Sequence, residues 1–174
     1  DQVLRMGKEL LTGSSHIPTP TKSILVSNSN SLIGNAKGHY DTVMNTLPRV
    51  EFIGVNEWWW TASCEYADII FPVDSWAEFK QPDMTISVTN PFLTIYPRTP
   101  LPRIYNTKHD IEVAAGIGCA IGKLIGDKQC EDYWHFVTHD RVDVYAQRIL
   151  NSSNSTKGYD FETLEENAKQ GIPA

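Results

Sequence analysis

EFIGVNEWWWTASCEYADIIFPVDSWAE, residues 51–78, is the stretch from which the fold is read. Residues 50–55 are β-rich and give way to Asn56-Glu57, so a buried strand is expected to deliver an amide and a carboxylate to its carboxyl-terminal rim. That rim is where open α/β sheets hold ligands. Residues 61–67 read as a short helix. Asp68-Ile69-Ile70-Phe71-Pro72 reads as a second brief strand, closed by a proline that lacks the N–H a central ladder needs.

Upstream, Ile24-Leu25-Val26 is a short continuous apolar run of the kind found in a parallel strand buried on both faces. It empties into a polar tip, Asn28-Ser29-Asn30-Ser31. Residues 34–47 fit a helix with Tyr40, Val43, Met44 and Leu47 on one side, stopped by Pro48. Strand, helix, strand at this spacing is a right-handed crossover, which brings both polar tips out on one edge of the sheet. Asn28 and Asn30 are therefore expected beside Asn56 and Glu57. Ahead of this unit, Val3, Met6, Leu10 and Leu11 have helical spacing and precede a Ser/Pro-rich linker through Thr21.

Downstream, Pro82, Pro91, Pro97, Pro100 and Pro102 exclude a helix between residues 79 and 106. This segment is expected to be an extended arm, laid across a ligand cleft or toward a partner subunit, or else a plain surface loop. Residues 106–110 offer caps for a helix carrying Ile111, Ala114, Ala115, Ile117, Ile121 and Leu124. Gly116, Gly118 and Gly122 inside it cost about 1 kcal/mol each against alanine, which suggests close approach of its backbone to the sheet. Further helices are expected over residues 131–137, 141–150 and 161–170, the last ended by Gly171. The expected architecture is a single α/β domain over residues 1–174, with one core, a Rossmann-like open parallel sheet, flanking helices and the proline-rich arm.

The 174 residues are 41% hydrophobic and 21% charged, the balance of a globular domain. A net charge of −6 with no lysine or arginine cluster argues against a nucleic-acid surface. Cys64, Cys119 and Cys130 are odd in number and far apart, without a C-x-x-C pair, so neither a disulfide framework nor a metal cluster is expected from them. His135 and His139 are four apart but lack the glutamate of H-E-x-x-H. No G-x-S-x-G, Walker loop or G-x-G-x-x-G followed by an acid is present, which removes support for hydrolase, nucleoside triphosphatase and nicotinamide readings. No apolar run reaches the roughly 20 residues that span a bilayer.

Two acids remain as candidate ligand contacts. A carboxylate can accept two hydrogen bonds from the N1–H and 2-amino edge of guanine, or from a ribose diol. Glu57 at a strand tip and Asp110 at a helix start have the positions for this, although Asp110 would equally serve as a helix cap.

The order of a strand ending in a polar pair, an aromatic-rich turn, then Thr61, Tyr66-Ala67-Asp68-Ile69-Ile70-Phe71-Pro72 and Trp76-Ala77-Glu78, resembles the bis-molybdopterin guanine dinucleotide oxidoreductases, the dimethyl sulfoxide reductase family. Trp58-Trp59-Trp60 and Thr89-Asn90-Pro91-Phe92 narrow the resemblance to the respiratory nitrate reductase branch, with nitrite and nitrate as the implied substrate and product. The resemblance is strongest over residues 22–125. It implies a piece of a larger catalytic subunit that holds part of a molybdenum bis(molybdopterin guanine dinucleotide), with Asn28, Asn30, Asn56, Glu57 and Asp110 as cofactor contacts. No catalytic residue or metal ligand is assigned here. The molybdenum ligand and the cysteines of an iron–sulfur cluster are expected elsewhere in the subunit, and an iron–sulfur electron-transfer subunit is the expected partner. Such enzymes are periplasmic or reach the membrane through partner subunits. A free-standing α/β nucleotide-binding module without catalysis is the reading from another class. Some relatives carry lysine where Phe79 stands, which leaves the charge on that side open. The three tryptophans are compatible with shielding a pterin, with a subunit contact or with core packing, and Glu78 with a structural or a cofactor role.

Overall fold

The computed structural model describes residues 22–34, 38–85, 93–138 and 142–172. The expected helix over residues 2–11, the linker through Thr21, the Thr89–Phe92 motif and His139 lie outside them. The chain divides into two compact units, Asp1–Phe71 and Pro72–Ala174, and is mixed α/β.

In the first unit three strands form one sheet in the order β1 (Ser23–Ser27), β2 (Phe52–Glu57), β3 (Ile69–Pro72). β1 and β2 are parallel, with Ser23 opposite Phe52 and Ser27 opposite Asn56. The order of these strands follows the chain, so they form no switch point of the kind at which doubly wound sheets open a ligand crevice. β2 runs two residues further than its apolar composition suggests and includes Asn56 and Glu57.

The connection from β1 to β2 is less regular than expected. One short α-helical stretch, α1 (His39–Asp41), passes into a π-helical turn (Thr42–Thr46) and then a 3-10 turn (Leu47–Arg49). Pro48 has no N–H to give to a helical ladder, and β-branched Thr42, Val43 and Thr46 are weak helix formers. Val26, Leu32, Leu47, Ile53, Val55 and Cys64 make the core of this unit. Leu25 points the other way and is 45% exposed. β1 is thus covered on one face only, because successive side chains alternate across a sheet. The motif acid Asp68 is fastened to β2: its N–H donates to the Ile53 carbonyl at 2.8 Å, and its Oδ2 accepts from the Ile53 N–H at 2.7 Å.

The second unit opens with a parallel bridge between Val73 and Lys108. The proline-rich segment is not simply extended. It contains an antiparallel ribbon of β4 (Asp83–Thr85) and β5 (Thr94–Tyr96), with Met84 opposite Ile95. Among the described residues five helices follow: α2 (Asp110–Ile125), α3 (Lys128–Tyr133), α4 (His135–Thr138), α5 (Val142–Ser152) and α6 (Phe161–Lys169). Ile95 packs with Ala146, Leu150, Phe161 and Leu164, so the ribbon covers α5 and α6. A separate cluster joins Ala115, Val137 and Val142. Among the described residues the buried apolar side chains form three clusters, one in the first unit and two in the second.

Arg98 ties the segment after β5 to α6. Its N–H donates to Glu165 Oε1 at 2.9 Å, and its guanidinium donates to Oε2 at 2.6 Å. The glycines of α2 also differ from expectation. A Cβ on Gly118 would stand 2.5 Å from the Trp134 indole nitrogen, and one on Gly122 would stand 2.6 Å from the Glu131 backbone nitrogen. The close approach is to the following helices, since Gly126, in the left-handed region (φ 73°), ends α2 and folds α3 back along it.

Candidate functional site

The carboxyl end of the β1–β2 pair brings together three of the five residues expected at a cofactor. The Asn28 N–H donates to the Asn56 carbonyl at 2.9 Å and so continues the ladder past β1. Asn28 has φ 48°, a left-handed conformation that asparagine tolerates better than most residues, and it is exposed. Asn56 is 1% exposed and donates through Nδ2 to Ser27 Oγ at 3.2 Å. Glu57 is 5% exposed, and its Oε1 accepts the Trp58 N–H at 3.1 Å. Because β2 extends through both residues, these side chains sit at the end of a strand beneath the surface and not on a projecting loop.

Asn30 is bonded within the same tip. Its Oδ1 accepts from both the N–H and the hydroxyl of Ser63 at 2.9 Å, while Ser63 Oγ accepts the Leu32 N–H at 3.2 Å. The Asn30 carbonyl also accepts from Gly34 N–H at 2.6 Å. This knot fixes the β1 tip to the 3-10 helix after β2 (Ala62–Tyr66). The sequence carries no signal for Ser63, because its partners are about thirty positions away and serine has no local signature for that role.

The tryptophans that follow Glu57 are not core residues. Trp58, Trp59 and Trp60 are 44%, 67% and 67% exposed, and the first two rings stack with centroids 5.3 Å apart. Trp60 Nε1 donates to Glu65 at 2.5 Å. Core packing is therefore excluded for this turn.

Asp110 belongs to the second unit and is described with it. It is the first residue of α2, and His109, not Asp110, caps the helix. Its Nδ1 accepts the Ile111 N–H at 3.3 Å, and Glu112 returns the bond to the His109 N–H at 2.7 Å. The Phe79 ring stands edge-on to His109 with centroids 4.6 Å apart. Glu78 is bonded to the backbone through both oxygens: its Oε1 accepts the Ile104 N–H at 2.9 Å and its Oε2 the Ser75 N–H at 3.3 Å. The bond from Ile104 is the main reason its carboxyl is held below the ordinary range.

Asp83 behaves in the opposite sense. Desolvation raises its carboxyl above the ordinary value, and the negative charge of Asp110 adds to this, against the Met84 N–H bond and the nearby His109. A raised folded-state value means that the folded protein binds the proton more tightly than the unfolded chain does. The penalty is thus present at neutral pH and is relieved as pH falls through the raised value. Asp83→Asn keeps the Oδ1 acceptor for Met84 and removes the charge. It is expected to raise the thermal midpoint at pH 7 and to lose that advantage below the ordinary aspartate value of 3.8, as followed by melting curves across that range. A lower midpoint at pH 7 would show that the charge is favourable where it stands.

Among the described residues no group of three or more His, Cys, Asp or Glu side chains is arranged to hold a metal ion, and no helix is long and apolar enough to cross a membrane. The sequence matches no known family model, and no curated protein is similar enough to count as a match.

Proposed function

We propose that the chain is a cofactor-holding part of a molybdenum-dependent oxidoreductase of the bis-molybdopterin guanine dinucleotide class, with a Rossmann-like parallel sheet as its scaffold. Within that class we read it as part of the catalytic subunit of nitrite oxidoreductase, which interconverts nitrite and nitrate and passes electrons to an iron–sulfur partner subunit. The observation that carries this reading is the juxtaposition of Asn28, Asn56 and Glu57 at one end of adjacent parallel strands. Their donors and acceptors suit the hydrogen-bonding edge of guanine or a ribose diol, with Asn28 outermost. Asn30 shapes that tip through Ser63.

In the second unit, Asp110 lies close enough to Asp83 for their charges to oppose each other. A ligand N–H edge donated to Asp110 would relieve that crowding. When bound, the metal supplies the oxygen-atom transfer; the residues of this chain bind and orient its carrier. Large exposed apolar side chains, among them the three tryptophans in the first unit and Ile104, Tyr105, Leu124 and Ile125 in the second, suit a chain packed against further protein.

The test is the molybdenum and guanine nucleotide content of the purified full-length protein. Both are expected to be present, and Glu57→Ala is expected to lower them by about tenfold through loss of a charge-assisted hydrogen bond, with Glu57→Gln intermediate. Absence of molybdenum from the unmodified protein would remove the assignment. Nucleotide retained without molybdenum would favour a non-catalytic nucleotide-binding module. Turnover with nitrite, set against nitrate, selenate and chlorate or perchlorate, separates the enzymes within the class.

A further inference from the structure

The hairpin of α2 and α3 places two cysteines that are eleven positions apart in sequence against one another's backbone. Cys119 Sγ donates to the Glu131 carbonyl at 3.5 Å, and Cys130 Sγ donates to the Gly118 carbonyl at 3.6 Å. Each sulfur therefore lies on the residue next to the other cysteine. Gly118 and Gly122 make this possible, because a side chain on Gly122 would collide with the Glu131 backbone, so the two helices touch main chain to main chain. A disulfide needs Cα atoms about 4.4–6.8 Å apart, and the crossed contacts, each sulfur on the carbonyl beside the other cysteine, draw the two residues together. Both thiols are partly exposed, whereas Cys64 is buried in the other unit.

We propose that Cys119 and Cys130 form a dithiol site that reacts with a low-molecular-weight disulfide and closes an intramolecular disulfide across the α2–α3 hairpin. One cysteine thiolate attacks a sulfur of the small disulfide, forming a mixed disulfide and releasing one small thiolate. The other cysteine, deprotonated in turn, attacks the protein sulfur of that mixed disulfide. The Cys119–Cys130 bond forms, the second small thiolate leaves, and the two protons lost by the protein end on the two small thiols. Rotation of the side chains away from the carbonyls they now face is the conformational change required.

The experiment treats the full chain with oxidised glutathione, quenches, alkylates under denaturing conditions with N-ethylmaleimide and measures intact mass and peptide maps. The expected product has lost about 2 Da, carries one maleimide, on Cys64, and yields a Cys119–Cys130 cross-linked peptide. Its urea midpoint exceeds that of the reduced chain. Cys64→Ser keeps the mass loss, while Cys119→Ser and Cys130→Ser each stop at a glutathione adduct of about 305 Da on the remaining partner. Stable glutathione adducts on both Cys119 and Cys130 of the unmodified chain, three maleimides after oxidation, or a cross-link to Cys64 would each overturn the proposal.

Discussion

Asp74→Ala is expected to destabilise the Pro72–Ala174 unit by about 3 kcal/mol or more. The Asp74 side chain is wholly buried, and both of its oxygens are occupied. Oδ1 accepts from Arg103 Nε at 2.8 Å and from Thr107 Oγ1 at 2.6 Å; Oδ2 accepts from Arg103 Nε at 2.9 Å and Nη2 at 2.7 Å. Arg103 reaches onward to Glu112, which itself closes the capping box of α2. One buried carboxylate thus joins the chain after β3, the end of the proline-rich segment and the start of the longest helix. Truncating it leaves a mostly buried guanidinium paired with Glu112 and removes the acceptor of the Thr107 hydroxyl. Loss of a charge-assisted pair at such a site exceeds the 0–1 kcal/mol of an exposed ion pair such as Lys22–Glu51. Urea unfolding followed by circular dichroism at the helix band reports on this unit, because its long helices α2, α5 and α6 dominate that signal. A shift below about 1 kcal/mol would show that water screens the network after all. Asp74→Asn, which keeps an acceptor but not the charge, should fall between.

Gly122→Ala sets two effects of known sign against each other. Alanine is the better helix former by about 1 kcal/mol, and on an open helix face it would stabilise. At Gly122 the new Cβ would meet the Glu131 nitrogen at 2.6 Å, the Asp127 carbonyl oxygen at 3.0 Å and the Glu131 Cα at 3.1 Å. These are backbone atoms, so α3 must move as a whole. Overpacking of this kind costs about 1–3 kcal/mol, and the net expectation is a loss. Gly116 supplies the control. Nothing lies within 4 Å of a Cβ there, so Gly116→Ala should gain stability by up to about 1 kcal/mol. The two substitutions are identical in chemistry and should move the urea midpoint in opposite directions. Movement in the same direction would contradict the helix contact.

How far the residues alone reveal this arrangement depends on the range of the interaction. The strands at Ser23–Ser27 and Ile69–Pro72 and the helices α2 and α6 follow from apolar periodicity, proline and glycine stops, which act within a few positions. The positions of Asn28, Asn56 and Glu57 at one edge follow from the parallel crossover. The role of Asn30 does not, because Ser63 lies far along the chain and only the folded β1 tip brings them together. Nor does the choice of His109 over Asp110 as helix cap: the sequence offers several polar candidates in a row, and Glu112, bonded to both Arg103 and the His109 N–H, decides among them. Leu25 and the tryptophans show a related limit. Apolar character gives a reason for burial, but what covers a side chain is set by neighbours that a local pattern does not specify.

The outward-facing tryptophan turn beside Glu57 has an optical consequence. Indoles standing in water emit at the long-wavelength end of their range, and their emission shifts and changes intensity when a ring system or another chain covers them. Trp58, Trp59 and Trp60 thus give the strand edge a built-in reporter, three of the five tryptophans in the sequence, through which occupation of that border can be followed without any attached label.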